Sequence, residues 1–236
     1  MRQVRIVLVE PSHPGNIGGA ARAMKTMGQG ELFVVNPRRF PDPQADWRAA
    51  GALDVLDAAT VVHDVGEAIG DCHWVIGTST RSRRIPWPVA TPRKLAEDLA
   101  ARPEDTRAAI LFGREDNGLT NEELQRCNHH LQIAASPAYS SLNLAMAVQV
   151  VCYELYQAGL DHDPVPPWDR RMATAAELDG MLEHTRSALE HTGFLDPDNP
   201  GQTMTRLRRM YTRMQLDETE LQILRGMLKH FERGAP

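Results

Sequence analysis

Apolar residues recur along the first two thirds of the chain in short continuous runs, and segments with helical periodicity separate them. The runs have the length of strands and span residues 5–10, 31–36, 60–63, 73–78, 108–113 and 131–135. The helical segments span residues 17–27, 66–69, 91–100, 121–127 and 142–158. Continuous apolar runs are typical of strands that are buried on both faces, and their alternation with helices predicts an α/β fold with a parallel sheet.

The pattern changes near residue 160. Residues 161–171 read DHDPVPPWDRR, with three prolines and no periodicity, which indicates a linker. The segments beyond it are all helical and span residues 175–191, 203–214 and 218–232. We therefore predict a sheet domain over residues 1–160, a linker over 161–173 and a small all-helical module over 174–236.

Composition narrows the class of protein. The 236 residues carry a net charge of −5, so any site for nucleic acid must be a local basic patch. No apolar run is long enough to span a bilayer, and the first residues read as a strand rather than a signal peptide. Three scattered cysteines (Cys72, Cys127 and Cys152) fit neither a disulfide framework nor a CxxC metal site. We expect a reduced, cytoplasmic protein without a metal or a membrane partner.

The stretch EPSHPGNIGGAARAMKTMG, residues 10–28, is a glycine-rich turn between a strand and a helix. It contains neither GxGxxG nor GxxxxGK[ST], so neither known phosphate loop explains it. Gly18 and Gly19 make the start of the helix slim, which lets a backbone or a ligand approach closely. Arg22 follows Asn16 by less than two turns and can point back toward it. A helix-packing face with a solvated arginine and a functional site explain the pattern equally well.

A basic loop follows the fourth predicted strand, in VIGTSTRSRRIPWP at residues 75–88. Arg81, Arg83 and Arg84 lie close together without an intervening acid, which suits the recognition of phosphate. Strand ends are also where ligands bind open α/β sheets. The alternative is a solvated basic loop.

The stretch LFGREDNGLTNEEL, residues 111–124, is a tight loop that leads into a helix. Thr120 and Glu123 form a capping-box pattern, which gives them a structural role. Arg114 and Glu115 stand instead at the end of a strand, where side chains tend to face a ligand.

Polar residues cluster at the start of the long helix, where Ser140, Ser141 and Asn143 follow one another closely. We expect one of the two serines to be the N-cap of this helix. The other serine and Asn143 then suit the polar edge of a ligand.

Three motifs stand in a fixed order: NIGGAAR at 16–22, LFGRE at 111–115 followed by GL, and SSLN at 140–143. In this order they resemble the motifs of the SPOUT superfamily of RNA methyltransferases, and within it the TrmH-like branch. The resemblance covers nearly the whole chain, including PGQTMTRLRRMY in the helical module. It implies a trefoil-knotted parallel-sheet domain, S-adenosylmethionine (AdoMet) as methyl donor, and a homodimer with its active site at the subunit interface. It also implies a tRNA substrate, and not DNA, that is methylated on the ribose 2′-hydroxyl of a pyrimidine at anticodon-loop position 32.

The resemblance assigns roles to individual residues. The catalytic group would be Asn16, Arg22, Glu115, Ser141 and Asn143. The cofactor would be held by Thr78, Ser79, Thr80, Gly113, Ile133, Ser140, Ser141 and Leu142. Thr80 departs from the smaller alanine expected there, which matters little if the backbone does the binding.

RNA contacts are predicted from clustered arginines. Residues 203–214 carry a basic stripe with no acid among its members, which are Arg206, Arg208, Arg209 and Arg213. We interpret this stripe, with Arg81, Arg83, Arg84 and Arg114, as the contact to tRNA. Two alternatives remain: an enzyme that methylates another tRNA position or ribosomal RNA, and a non-catalytic RNA-binding knot protein.

Overall fold

The computed structural model describes residues 3–79, 87–159 and 170–234, which include seven strands in one sheet. The strands are β1 Arg5–Val9, β2 Leu32–Val35, β3 Thr60–Val62, β4 Trp74–Thr78, β5 Val89–Ala90, β6 Ala108–Phe112 and β7 His129–Leu131. All the pairings are parallel, in the order β3-β2-β1-β6-β4-β7-β5. The predicted parallel α/β architecture is confirmed.

Helices surround the sheet and continue beyond it. They are α1 Pro14–Thr26, α2 Pro43–Ala49, α3 Leu53–Asp57, α4 Val65–Ile69, α5 Pro92–Ala100, α6 Asn121–Gln125, α7 Leu144–Ala158, α8 Ala175–His191, α9 Thr203–Met214 and α10 Glu218–Gly234. Within the described ranges, no helix combines the length and the apolar character needed to cross a membrane.

Both faces of the sheet are buried, as the continuous apolar runs predict. Along β1, Ile6 and Leu8 point into a core that α1, α2, α5 and α7 cover. Val7 and Val9 point into a second core beneath α4 and α6. All three cysteines are free and buried, which confirms the prediction of core thiols.

The sequence-based element bounds are wrong in several places. The strand predicted at 131–135 lies at His129–Leu131, because the chain leaves the sheet after Leu131 and residues 134–135 are exposed. The first helix begins at Pro14 rather than residue 17, since proline at the first helical position is already in a helical backbone conformation. The segments α2, α3 and β5 were not predicted, because each is too short to show a clear period.

The small-residue face of α1 packs against helices of the same chain. A Cβ atom added at Gly18 would lie 2.0 Å from the carbonyl oxygen of Ala45 in α2. One added at Gly19 would lie 2.9 Å from the Cβ atom of Ala145 in α7. The helix-packing interpretation therefore accounts for these two glycines.

The three C-terminal helices form their own core around Met181, Leu182 and Leu221. This helical module contacts the amino ends of the strands. The backbone N–H groups of Ala175 and Ala176 donate to the carbonyls of Cys72 and Gly70, at 2.7 and 3.2 Å, just before β4.

Buried side chains complete this contact. Asn128 accepts from the backbone N–H of Val75 at 2.6 Å and donates to the carbonyl of Thr212 in α9 at 3.0 Å. The guanidinium of Arg102 lies 4.1 Å over the ring of Trp74 and donates to Gln215, the C-cap of α9. The helical module therefore docks on the edge of the sheet where the strands begin.

Candidate active site

A cleft of about 410 Å³ opens at the opposite edge, where the central strands end. It is lined by Thr78, Ser79, Phe112, Gly113, Arg114, Glu115, Asp116, Asn117, Gly118, Leu119, Leu131, Ile133, Ser140, Ser141, Leu142, Leu144 and Ala147. Every described residue that was predicted to hold the cofactor is among them. The structure therefore brings together three segments that are far apart in sequence, which follow β4, β6 and β7.

Gly113 sets the shape of the cleft. A Cβ atom at this position would lie 2.1 Å from the carbonyl carbon of Gly118 and 2.2 Å from the backbone nitrogen of Leu119. The loop after β6 therefore folds back onto residue 113 at a distance that only glycine allows. Gly118 has a φ of 69°, in the left-handed region that glycine adopts easily.

Glu115 is the centre of a polar network at the mouth of the cleft. Its carboxylate accepts from the Ser12 backbone N–H and hydroxyl, each at 3.0 Å, and from the His13 backbone N–H at 3.3 Å. The Asn16 side-chain amide donates to it at 3.0 Å. The turn before α1 and the loop after β6 are thus joined through a single carboxylate.

The pKa of Glu115 is lower than its usual 4.5. Partial burial acts to raise this pKa. The hydrogen bonds donated by Asn16, Ser12 and His13 together lower it by more than burial raises it. Glu115 is therefore an anion near neutral pH and a poor proton acceptor.

Asn143 links this network to α7. Its side-chain amide donates to the side-chain oxygen of Asn16 at 2.9 Å, and its own oxygen accepts from the backbone N–H of Ala145 at 3.0 Å. Asn143 is therefore the N-cap of α7, and the prediction that Ser140 or Ser141 caps this helix is wrong. Both serines are exposed and line the cleft.

Arg22 does not join the network within one chain. Its side chain is exposed, and no hydrogen bond or ion pair links its guanidinium to a described residue. At about 100° per residue, six residues along a helix turn the side chain away from the face of Asn16. The expectation that Arg22 points back toward Asn16 is not met inside a single chain.

Arg114 has a structural role. Its guanidinium lies between Glu10 at 2.6 Å and Glu123 at 3.0 Å, and only 19% of its side chain is exposed. The hydrogen bonds that its guanidinium donates to these two carboxylates raise the pKa of Arg114. The contact of Arg114 with RNA stays a prediction, and these two ion pairs give Arg114 a structural role that the sequence did not indicate.

Only some of the arginines in the basic stripe on α9 are free of ion pairs with described residues and exposed enough to contact RNA. Arg208 pairs at 2.6 Å with Asp179 of α8, an acid that lies outside the stripe itself. Arg209 is half-buried, whereas Arg206 and Arg213 are exposed. Of the loop predicted to bind phosphate and cofactor, Thr80, Arg81, Arg83 and Arg84 lie outside the described residues.

Sequence reasoning missed the donors of Ser12 and His13. Both stand in the turn EPSHPGN, four and three residues before Asn16, and they act mainly through backbone N–H groups that carry no sequence signal. It also missed Asp116 and Asn117, which follow Glu115 directly and line the same cleft. Among the described residues, no group of three His, Cys, Asp or Glu side chains could hold a metal ion.

Comparisons with known proteins cover both parts of the chain. Residues 3–153 match the SpoU rRNA Methylase family, and residues 176–236 match the C-terminal domain of the tRNA methyltransferase TrmJ. A relative from Klebsiella pneumoniae, tRNA (cytidine/uridine-2′-O-)-methyltransferase TrmJ, is 46% identical over 98% of this chain and 97% of its own.

Two solved structures resemble this chain over different shares of its length. The crystal structure of TrmJ from Z. mobilis ZM4 has a TM-score of 0.84 and 34% identity, over 97% of this chain and 99% of that one. A structure that concerns 2-OH methylation of C/U34 on tRNA has a TM-score of 0.54 and 25% identity. It covers 68% of this chain and 93% of its own, so it has no counterpart to about a third of the present chain.

Proposed function

The chain belongs to the SpoU rRNA methylase family, and we propose that it is an AdoMet-dependent tRNA 2′-O-methyltransferase. The observation that carries this proposal is the network of Asn16, Glu115 and Asn143 at the mouth of a cleft. A protein that only bound RNA would not need such a network. We propose the target that the resemblance implies, a pyrimidine at position 32 of the anticodon loop.

The residues of the cleft fit AdoMet. Its volume lies in the range of small-molecule sites, and its wall combines apolar side chains with serines and backbone groups. Leu131, Ile133 and Leu142 supply apolar surface for an adenine ring, and Ser140 and Ser141 supply hydroxyls. The Thr78 hydroxyl already donates to the carbonyl of Leu111 at 2.9 Å, so Thr78 would contribute mainly through its backbone. Bound AdoMet supplies a sulfonium methyl group to the reaction.

The protein must align a weakly acidic ribose hydroxyl with this methyl group and accommodate the proton that leaves. Glu115 is unsuited to be the base, because its pKa is lowered and its oxygens accept from Ser12, His13 and Asn16. We assign it the role of orienting Asn16. Asn143 holds Asn16 from the other side, so the side chain of Asn16 has one fixed position for the incoming ribose.

Arg22 would stay cationic and stabilise the developing alkoxide. A guanidinium gives up its proton only to a very strong base, and a nearby RNA phosphate favours the charged form, so it is a poor general base. The proton would leave late, to a phosphate oxygen or to water. Ser141 would help to fix the ribose or the cofactor.

A homodimer would complete this site. Arg22 is exposed and unpaired within the described part of its own chain, so in one subunit it lacks a site to act on. The nearby helix α7 exposes Met146 and Tyr153, which are 62% and 45% accessible. We propose that α1 and α7 face a second copy, and that this contact brings Arg22 to a cleft. The knot implied by the resemblance is part of the same proposal, supported by the convergence of the loops after β4, β6 and β7 on one cleft.

The helical module would hold the body of the tRNA. Arg206 and Arg213 on α9 are exposed, and no ion pair with a described residue neutralises them. We retain Arg209 and the loop arginines Arg81, Arg83 and Arg84 as proposed backbone contacts. A cytoplasmic location follows from this substrate. We propose the residue ranges 1–160, 161–173 and 174–236 as domain, linker and module.

The test is to incubate the purified protein with AdoMet and unmodified tRNA, digest the RNA and identify the methylated nucleoside by mass spectrometry. An Arg22→Ala sample is run in parallel. We expect a 2′-O-methylpyrimidine from position 32, absent from the variant. Methylation at position 34, or only in ribosomal RNA, would contradict the proposed target at position 32. AdoMet binding without any methylation would contradict the enzymatic role.

A further inference from the structure

Tyr139 is held in an ordered turn with its ring in solvent. Its backbone N–H donates to the carbonyl of Ser136 at 3.0 Å, and the hydroxyl of Ser136 accepts from the backbone N–H of Ala138 at 3.3 Å. These bonds fix the backbone of residues 136–139, whereas 81% of Tyr139 is exposed. Burial within the chain therefore does not explain the aromatic side chain.

The turn lies at the mouth of the cleft. Ser140 and Ser141, the next two residues, both line it, and consecutive Cα atoms are only about 3.8 Å apart. Two other aromatic residues are almost as exposed but stand elsewhere, Trp47 on α2 and Phe194 after α8. Among the exposed aromatic residues of the described chain, Tyr139 alone adjoins the lining of the cleft.

We propose that Tyr139 is a stacking platform for the base of the nucleotide whose ribose enters the cleft. This inference rests on the proposed 2′-O-methyltransferase function. A ribose that reaches the methyl group must leave the regular stack of its loop, and an aromatic ring replaces the stacking that its base loses. Such stacking tolerates different bases, since every base presents a π-face. Stacking on Tyr139 would therefore accept either cytidine or uridine as the target nucleotide.

The surroundings favour RNA over a second protein chain as the occupant. Exposed serines flank the turn on both sides, at Ser136, Ser140 and Ser141, and exposed Pro137 and Ala138 lie between them. In addition, the mouth of the cleft must stay open in any assembly, because the ribose has to enter there. A residue next to Ser140 therefore lies beside the path of the substrate.

The experiment compares Tyr139→Ala, which removes the ring, with Tyr139→Phe, which keeps it. Substrates are two full-length tRNAs that differ only in cytidine or uridine at the target position. We expect Tyr139→Ala to lower kcat/KM by about 10- to 100-fold on both tRNAs, and Tyr139→Phe to stay within about twofold of the unmodified protein. The Kd for AdoMet and the oligomeric state, measured by sedimentation, should not change in either variant.

Four results would overturn the inference. These are full activity of Tyr139→Ala, an equal loss in Tyr139→Phe, loss of AdoMet binding, and dissociation into monomers. A change of more than about tenfold in the cytidine-to-uridine preference would also contradict stacking, because it would show reading of the base edge. If the unmodified protein methylated neither tRNA, the proposed function itself would fail, which is a separate and visible outcome.

Discussion

The side-chain amide of Asn143 donates to the side-chain oxygen of Asn16 across 2.9 Å, although 127 residues separate the two in sequence. The same Asn143 side chain caps α7 through the backbone N–H of Ala145. One residue thus serves the stability of a helix and the geometry of the candidate active site. The two roles can be separated, because capping requires only an acceptor and the contact to Asn16 requires a donor that reaches it.

Asn143→Ala should lower the free energy of unfolding by about 1 kcal/mol, the usual cost of losing an N-cap. Asn143→Ser should recover most of this stability, since serine is also a good cap. Both variants should lose at least about tenfold in methylation rate, because neither side chain reaches Asn16. Denaturant unfolding and a tRNA methylation assay measure the two effects. Full activity in Asn143→Ser would refute a role for the Asn16 contact.

Glu115 should make stability depend on acid pH. Since its pKa is lowered in the folded protein, its stabilising contribution is complete above the unfolded value near 4.5 and is lost as the pH falls through the folded value. The difference in unfolding free energy between the unmodified protein and Glu115→Gln should be constant above about pH 5 and shrink below it. Asp71 and Glu177, whose pKa values are lowered to about 2, are present in both proteins and cancel in this difference. A difference that stays constant down to pH 3 would contradict the assigned network.

Gly113→Ala should disrupt the cleft, because its new methyl group would overlap the backbone of Gly118 and Leu119. We expect a loss of about 3 kcal/mol in unfolding free energy and no measurable AdoMet binding. The matched control is Gly226→Ala in α10, where nothing lies within 4 Å of the added Cβ atom. That variant should instead gain up to about 1 kcal/mol from helix propensity. Thermal unfolding and calorimetric titration with AdoMet provide both readouts.

Arg22 and Arg114 should respond in opposite ways to substitution. Arg22→Ala should abolish methylation with no change in Tm, because its guanidinium forms no hydrogen bond or ion pair with a described residue of its own chain. Arg114→Ala should lower stability by about 1–2 kcal/mol, because it leaves Glu10 and Glu123 without their partner. Arg22→Lys tests the role further, and retention of most activity would argue against a positioned guanidinium.

The arginines of α9 should also divide into two classes. Arg206→Ala and Arg213→Ala should each weaken tRNA binding and reduce the slope of log K against log salt by about 1, while AdoMet binding stays unchanged. Arg208→Ala should act mainly on stability, since it removes an ion pair with Asp179, which then keeps Arg126 as a partner. Filter binding over a range of salt concentrations distinguishes the classes. Equal slopes for all three variants and the unmodified protein would exclude this helix as a contact to RNA.

Much of the cleft could be predicted from sequence. The family resemblance assigned Gly113, Ile133 and Ser140 to one cofactor site, and all three line the cleft, since loops that follow parallel strands meet at one edge of a sheet. The sequence did not reveal ion-pair partners that come from distant segments. Arg114 looked free because Glu10 precedes it by more than a hundred residues, and Arg208 because Asp179 lies on another helix.

Neighbouring residues that could each fill the same structural role were a second limit on prediction from sequence. Ser140, Ser141 and Asn143 are all good N-caps, and only the backbone path from the sheet into α7 selects Asn143. The turn before α1 likewise gave no hint that its backbone N–H groups at Ser12 and His13 converge on one carboxylate. Such selection depends on three-dimensional geometry, which residue types do not encode one by one.

The helical module docks through Arg102 and Asn128 where the strands begin, and the cleft opens where they end. Among the described residues, none of those that anchor the module also lines the cleft, so a substitution in one set removes no residue of the other. Substitutions on the exposed face of α9 can therefore change the proposed contact to RNA while every residue of the cleft stays the same.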